Sequence, residues 1–569
     1  MTNEINNLQP ELEQPEIETE QPQTEQPQTE QPQTEEPKQD NPPVDPNALV
    51  KVPTTGRDML FAMFFLVGSI IWADFGLFGG FQLGHSIAAV ILGVLTVIYP
   101  LAEHKLSRWG AVYSVSAIVL STSYFIYNSV LAKTLMFFWS LILMGLAIIN
   151  NTHMAKPGWK QIFQALRQIL ITPFERVGNT MASLFQSKGD DSKKKAKGIL
   201  IGLLCALPGL CIIIPILCQS DAAFEAVIKN IFSDGLARVI HSILLGVLIA
   251  MFVFTAVFAA VKKIVHLPSP YAVEPIKFER VSSTPVTAFL TTISSVYVIY
   301  LFSQLAYFFS AFSGLLPTDY TTAQYARRGF IEMTVICAIN VVLIALPLLI
   351  CKKDENGRHP LAIRLICAFL CLFSLIIVST VIGKLVMYMQ NYGLTQKRVY
   401  TSLFCVATAI VIIFVGIRLF VDRFPYFRAA VTTLAAMSVF IAFADVNTTV
   451  ARYNTEAYLS GYLYEVDVEY LEKLDDAAVP YLIKLVECED EDVAGRAAGV
   501  LYRYASRYGK VERDSQLINV NGVYTSQQNN EYKFAPHKHS DFRAYNLQQA
   551  RAQKLISDNW ETIIDVFDN

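Results

Sequence analysis

The 569-residue chain predicts an all-α fold: a polytopic membrane bundle of about eleven transmembrane helices with a small C-terminal extracytoplasmic helical domain. Three observations predict it. Hydrophobic residues make up 53% of the chain and charged residues only 17%. Apolar runs long enough to cross about 30 Å of hydrocarbon recur from Met59 to Ala444. The connections between those runs alternate sharply in Lys/Arg content, the asymmetry that orients spans in a bilayer.

Residues 1–57 open the chain with the pentad EQPQT starting at Glu20, Glu25 and Glu30, and with twelve acids against Lys38 alone before Val50. Such a tract buries too little apolar area to offset its chain entropy, so a disordered, partly polyproline, cytoplasmic tail is expected. More than fifty polar residues ahead of the first apolar run do not form a secretory signal.

Eleven spans are expected to start near Met59, Phe81, Trp109, Ser129, Gly198, Ala237, Val286, Gly329, Leu361, Thr401 and Phe427. They fall into residues 58–150, with four spans, and 198–445, with seven. Loops 104–108, 151–197, 262–285, 351–360 and 422–428 carry 20 Lys/Arg, and the intervening loops about five by the same rule. The basic loops are expected to face the cytoplasm, which places the N-terminus inside and residues 446–569 outside. In the fifth span, Pro208 and Pro215 predict a bend.

The loop 151–197 reads as two amphipathic helices. Trp159, Ile162, Phe163, Leu166 and Leu170 share a helical period, and after Pro173 so do Phe174, Val177, Met181 and Leu184. Lys160, Arg167, Arg176 and Lys193 to Lys195 sit among them, which suits contact with anionic inner-leaflet lipids or a cover over the ends of neighbouring spans. Beyond Asp445 the composition turns soluble. Leu474 to Ala505 gives two amphipathic helices around an acidic turn and resembles one HEAT-type repeat, which needs neighbours to bury its apolar face. A polar connection, roughly Glu512 to Asp541, leads to a last helix from about Tyr545 to Val566.

The chemistry is sparse. Eight of the nine cysteines lie in or at the ends of apolar runs, where they act as small hydrophobes; Cys488 alone is in a polar region. The chain has no phosphate-binding Gly-rich loop, no Gly-x-Ser-x-Gly elbow and no His-Glu-x-x-His helix. His537, His539 and Asp541 sit together in a loop and read as surface residues. No catalytic residue, metal, cofactor or nucleic-acid partner is expected.

Ionisable residues inside spans are costly and therefore draw attention: Asp74, His85, Lys133, His241, Glu332 and Lys384. Tyr300, Ser303, Gln304 and Tyr307 share one face of the seventh span. Two adjacent arginines, Arg327 and Arg328, precede the eighth, and Lys397 and Arg398 precede the tenth. The acidic segment Tyr453 to Asp492, with twelve acids against Lys473 and Lys484, is a candidate counter-charge for this basic cluster. An anionic ligand or lipid phosphate is the alternative.

The segments YARRGFIEM at Tyr325, YGLTQKRVYTS at Tyr392 and ARYNTEAYLSGYLYEVDVEYLEKLDDAAVPYLIKL at Ala451 resemble a bacterial multi-pass membrane family known as domain of unknown function number four-one-seven-three. The resemblance implies a bacterial plasma-membrane location and supplies no activity, ligand or catalytic residue. Two functional readings follow from the residues themselves. One is a transporter or ligand sensor with an outward-facing polar pocket for a small anionic ligand, built from Asp74, Tyr300, Gln304, Arg327, Arg328, Glu332, Lys384 and Arg398. The other is a non-catalytic envelope interaction or signalling protein whose C-terminal domain docks on the bundle. A membrane-embedded transferase ranks third, because no acid, base or metal cluster marks a reaction centre.

Overall fold

The computed structural model describes residues 51–185, 234–266, 280–313 and 322–568 with short interruptions, together with parts of 213–226. The side chains of residues 234–237, 304–313, 322–329 and 513–531 also fall outside that description. Residues 1–50, the fifth span expected from Gly198 and the Lys193 to Lys195 run therefore lie outside it.

The chain is mostly helical. In order come α1 (Gly56–Trp72, continued by a π-turn, Ala73–Leu77), α2 (Leu83–Glu103), α3 (Arg108–Thr122), α4 (Val130–Asn151), α5 (Lys160–Leu166), α6 (Thr172–Leu184) and α7 (Asp234–Val261). Then follow α8 (Ser283–Ser313), α9 (Thr322–Ile350), α10 (Leu361–Tyr392), α11 (Gln396–Phe420) and α12 (Tyr426–Phe443). The C-terminal region holds α13 (Val446–Leu459), α14 (Val468–Glu472), α15 (Val479–Val486) and α16 (Glu491–Tyr508). It ends with strands β1 (Gly509–Val520) and β2 (Val523–Pro536) and helices α17 (Leu547–Asp558) and α18 (Trp560–Asp568).

Among the described residues nine helices, not eleven, are long and apolar enough to cross a bilayer: α1, α2, α4 and α7 to α12. The chain is thus a multi-pass membrane protein by length and composition. The helix expected from Trp109 is α3, only fifteen residues long. It nevertheless reaches both ends of its neighbours. Gly110 lies against Asn151 at the end of α4, and Tyr124, one turn past α3, lies 4.7 Å from His85 at the start of α2. Its Ser114 and Ser121 hydroxyls bond back to the carbonyls of Gly110 and Ala117, which lets a short helix with little aliphatic surface sit inside the bundle.

Two packing groups make up the bundle. Helices α1, α2 and α7 interlock around Phe65, Tyr99, Phe254 and Phe258, with α3, α4 and α12 beside them around Tyr113, Leu143 and Leu146. Helices α8 to α11 pack around Leu290, Cys367, Cys371 and Phe373. At one end of the bundle α1 begins with a capping box. Thr55 N–H donates to Asp58 at 2.7 Å, and the fully buried Asp58 also accepts from Tyr99 Oη at 2.8 Å and pairs with Lys262 Nζ at 3.0 Å. Lys262 also reaches Glu103 at 3.8 Å, so the ends of α1, α2 and α7 are tied by charge.

The expected amphipathic loop forms as α5, a π-turn (Arg167–Ile171) and α6. Its polar face, not its apolar one, packs into the protein. Gln161, Gln168, Thr172, Arg176, Thr180 and Ser183 are buried, and Gln168 donates to the Ala256 carbonyl of α7 at 2.5 Å. Phe163 and Phe174 stand 61% and 70% exposed. A soluble protein would pay heavily for that arrangement, whereas a hydrocarbon surrounding favours it.

The C-terminal region packs α13 to α18 around Leu471, Leu482, Leu485, Leu501, Tyr504, Ile556 and Ile563. The polar connection expected from Glu512 to Asp541 is instead mostly a β-hairpin, so the fold is not wholly α. Its antiparallel register runs from Gly509 opposite Pro536 to Val520 opposite Val523, with an irregularity between Arg513 and Ser515. The sequence between the last pair is Asn521-Gly522, a dipeptide suited to a tight hairpin turn, and it was the readable signal for these strands. The expected last helix is divided at Asn559 into α17 and α18.

Candidate functional site at the junction of bundle and C-terminal domain

Three polar groups lie where the C-terminal domain rests on the bundle, and the first centres on Asp74. The π-turn after α1 turns its carboxylate toward α7 and the last loop. Asp74 accepts from Arg238 Nε at 2.9 Å and from Ser242 Oγ at 3.3 Å, and its second oxygen accepts from Arg543 Nη1. Asp541 grips the same guanidinium, taking Arg543 Nε at 2.7 Å and Nη2 at 2.8 Å, and lies 3.9 Å from Arg238. Two arginines and two aspartates alternate, so the cluster is neutral as a whole. Its four side chains are 20 to 31% exposed, which leaves the charges partly desolvated.

Local sequence makes that approach feasible. The stretch FGLFGGFQLG, from Phe75 to Gly84, places Gly79 and Gly84 where a Cβ would meet Arg543 Cβ at 3.1 and 3.0 Å. Gly80 adopts φ +69°, which suits glycine. Asp541 also accepts the Arg543 backbone N–H at 3.0 Å, capping the short 3₁₀ turn Phe542–Ala544. The Arg543 fork holds the Asp541 carboxyl below the usual carboxylate range.

Beside it runs a chain of amides. Gln82 accepts from Lys133 Nζ at 3.0 Å and from Asn546 Nδ2 at 2.9 Å, while Leu83 N–H donates to the Tyr545 carbonyl at 3.2 Å. Asn128 receives Lys133 at 3.2 Å and donates to Asp476 at 2.9 Å, and its N–H donates to Gln548 at 2.9 Å. Tyr508 Oη donates to the other oxygen of Asp476. Burial, with the neighbouring Asp476 charge, pushes the Asp475 carboxyl above its ordinary range.

The third group lies at the α10–α11 turn. Gly393, at φ +71°, brings the backbone against Asn454, which accepts from Leu394 N–H at 2.7 Å and returns a bond to the Leu394 carbonyl at 2.9 Å. Gln396 N–H donates to Tyr470 Oη at 2.7 Å, and the Gln396 side chain donates to Asn447. The acidic segment Tyr453 to Asp492 therefore touches this turn through neutral groups.

The expected pocket residues take different places. Asp74 is in the first cluster. Arg398 donates to the carbonyls of Tyr392 and Gly393 and lies 3.9 Å over the Tyr388 ring. Tyr300, half-buried on α8, meets Phe373 edge-on at 6.1 Å. Glu332 is half-buried on α9 and Lys384 is 6% exposed on α10. Gln304, Arg327 and Arg328 lie on described helix, but their side chains are outside the description. Arg238, Arg543, Gln82, Asn128, Asn546 and Asp476 were not singled out by sequence. Arg543 had no legible signal, because its partner lies 469 positions away.

Residues 114–485 match the family described as Domain of unknown function (DUF4153), well over half of the chain. The chain belongs to that family. This corrects the resemblance to number four-one-seven-three. The three motifs that carried the resemblance all lie inside the DUF4153 match, so they belong to this family's sequence and not to the other's. No curated protein and no solved structure matches the DUF4153 chain. The match runs from Ser114 to Leu485, so Asp74 and Arg543 both lie outside it while Asn128, Gly393, Asn454 and Asp476 lie within.

Proposed function

We propose that the protein is a non-catalytic membrane-anchored coupling or interaction protein, in which the C-terminal domain is held on the bundle as a working unit. The observation that carries this reading is the Asp74–Arg543 bridge between the end of α1 and the C-terminal region, for which Gly79 and Gly84 leave room. The amide chain through Gln82, Asn128 and the buried Asn546 supports it, since each of the three makes a hydrogen bond between bundle and domain. Signals that reach one body are then felt by the other through a polar seam, the kind of contact that is specific in geometry and modest in strength.

The reading includes an orientation. The bundle end opposite the C-terminal domain carries Arg57, Arg108, Lys156, Lys160, Lys262, Lys263, Lys352, Lys353, Arg358 and Arg423. That end faces the cytoplasm, and the C-terminal domain faces outward.

The test is to replace Asp74 and Arg543 singly and together, and to follow protease cutting and hydrogen exchange of residues 541–558 in the intact protein in lipid nanodiscs. Faster exchange in the single variants supports coupling. Unchanged exchange in all three defeats it.

Lys384 favours a second reading. It is 6% exposed inside a span, at the depth of other polar groups, so an anion pocket with Tyr300, Gln304, Arg327, Arg328 and Glu332 is the rival proposal. Loss of binding of a small anion in a Lys384→Met variant, with exchange of residues 541–558 unchanged, would select it.

A further inference from the structure

Between α1, α6 and α7 lies an open groove of about 220 Å³, lined without a charged side chain by Met59, Met63, Met181, Met251, Ala250 and Phe254 among others. We propose that this groove holds one acyl chain of a bilayer phospholipid. Three observations carry the assignment.

The groove lies at hydrocarbon depth. It follows α1 from Met59 to Leu66, two turns of a span of about 10 Å at 1.5 Å per residue, beginning just inside the charged end formed by Arg57, Asp58 and Lys262. Its third wall is α6, whose polar face is turned into the protein and whose outer face carries the 70%-exposed Phe174. The medium outside that wall is therefore lipid, and the groove is continuous with it. Four methionines among the lining residues give an unbranched, adaptable surface, which suits a flexible chain better than a fixed side chain.

The inference is independent of the coupling reading, since the groove lies at the bundle end away from the C-terminal domain. Native mass spectrometry of the full chain, released from phosphatidylglycerol nanodiscs into detergent, tests it. Ala250→Phe fills the groove floor, Met63→Trp narrows its exposed rim, and Val115→Phe enlarges a lipid-facing residue on α3 as a control. Wild type and Val115→Phe are expected to retain a phospholipid adduct. The two groove variants should lose it by about tenfold or more, the scale of overpacking a filled site. The proposal is overturned if wild type retains no phospholipid. It is equally overturned if both groove variants, folded by circular dichroism, retain as much as the control.

Discussion

Arg543 of the C-terminal domain donates to Asp74 at the end of the first membrane helix, while Asp541 holds the same guanidinium from behind. A fork gripped on two sides has little rotamer freedom left to lose, so the bridge is worth more than an exposed ion pair of equal length.

Replacing Asp74 by Asn is expected to cost about 1.5–3 kcal/mol of domain docking, the range for a hydrogen bond to a charged group. The Arg543→Gln variant should cost a similar amount, and the double variant less than their sum. Additive losses in a hydrogen-exchange cycle would show that the two residues act separately.

Acid should loosen the same place. The folded-state pKa of Asp541 is depressed, so its contribution is complete above the unfolded carboxylate value and is lost as pH falls through the lower, folded one. Exchange of residues 541–546 in the wild type is therefore expected to accelerate below about pH 4, near the ordinary aspartate pKa. An Asp541→Asn variant should start faster and respond less over that window.

Asp475 has the opposite sign. Burial and Asp476 raise its folded-state pKa, so its charge is less favourable in the fold than in the unfolded chain and costs stability at neutral pH. Relief comes as pH falls through the raised value. Asp475 also adopts φ +54°, which Asn tolerates. An Asp475→Asn variant should melt higher than wild type at pH 7, with the gain shrinking in acid. A lower melting temperature at pH 7 would mean that the Arg507 contact outweighs the burial.

Gly393 supplies a backbone test. A Cβ there would lie 2.6 Å from Asn454 Oδ1, and φ +71° strains any other residue. Gly393→Ala is expected to cost roughly 1–3 kcal/mol and to expose Leu394 and Asn454 to exchange. Normal exchange at both would show that the turn relaxes without undocking.

At the opposite end, Lys262→Met should be the most damaging of these changes, by roughly 3–5 kcal/mol, because it leaves the fully buried Asp58 without its cation. Adding Asp58→Asn should restore much of the melting temperature. Failure of that rescue would place the loss in packing rather than in charge.

Much of this protein was written in its sequence. Apolar run length fixed nine of the expected helix starts, because spanning hydrocarbon leaves the backbone few alternatives to a helix. Helical spacing gave α5 and α6, and the paired amphipathic segments gave α15 and α16. The stretch expected as a polar connection contains Asn521-Gly522, a dipeptide that favours a hairpin turn. Tertiary structure alone decided which face of α6 is buried, because periodicity marks an apolar stripe without saying whether protein or lipid covers it. It also decided the partners of the charges. Asp74 was singled out as costly inside a span, but its counter-ions Arg238 and Arg543 sit 164 and 469 positions away. Ion pairs at such separations leave no local pattern, since only the packed fold brings the two ends of the chain to one place.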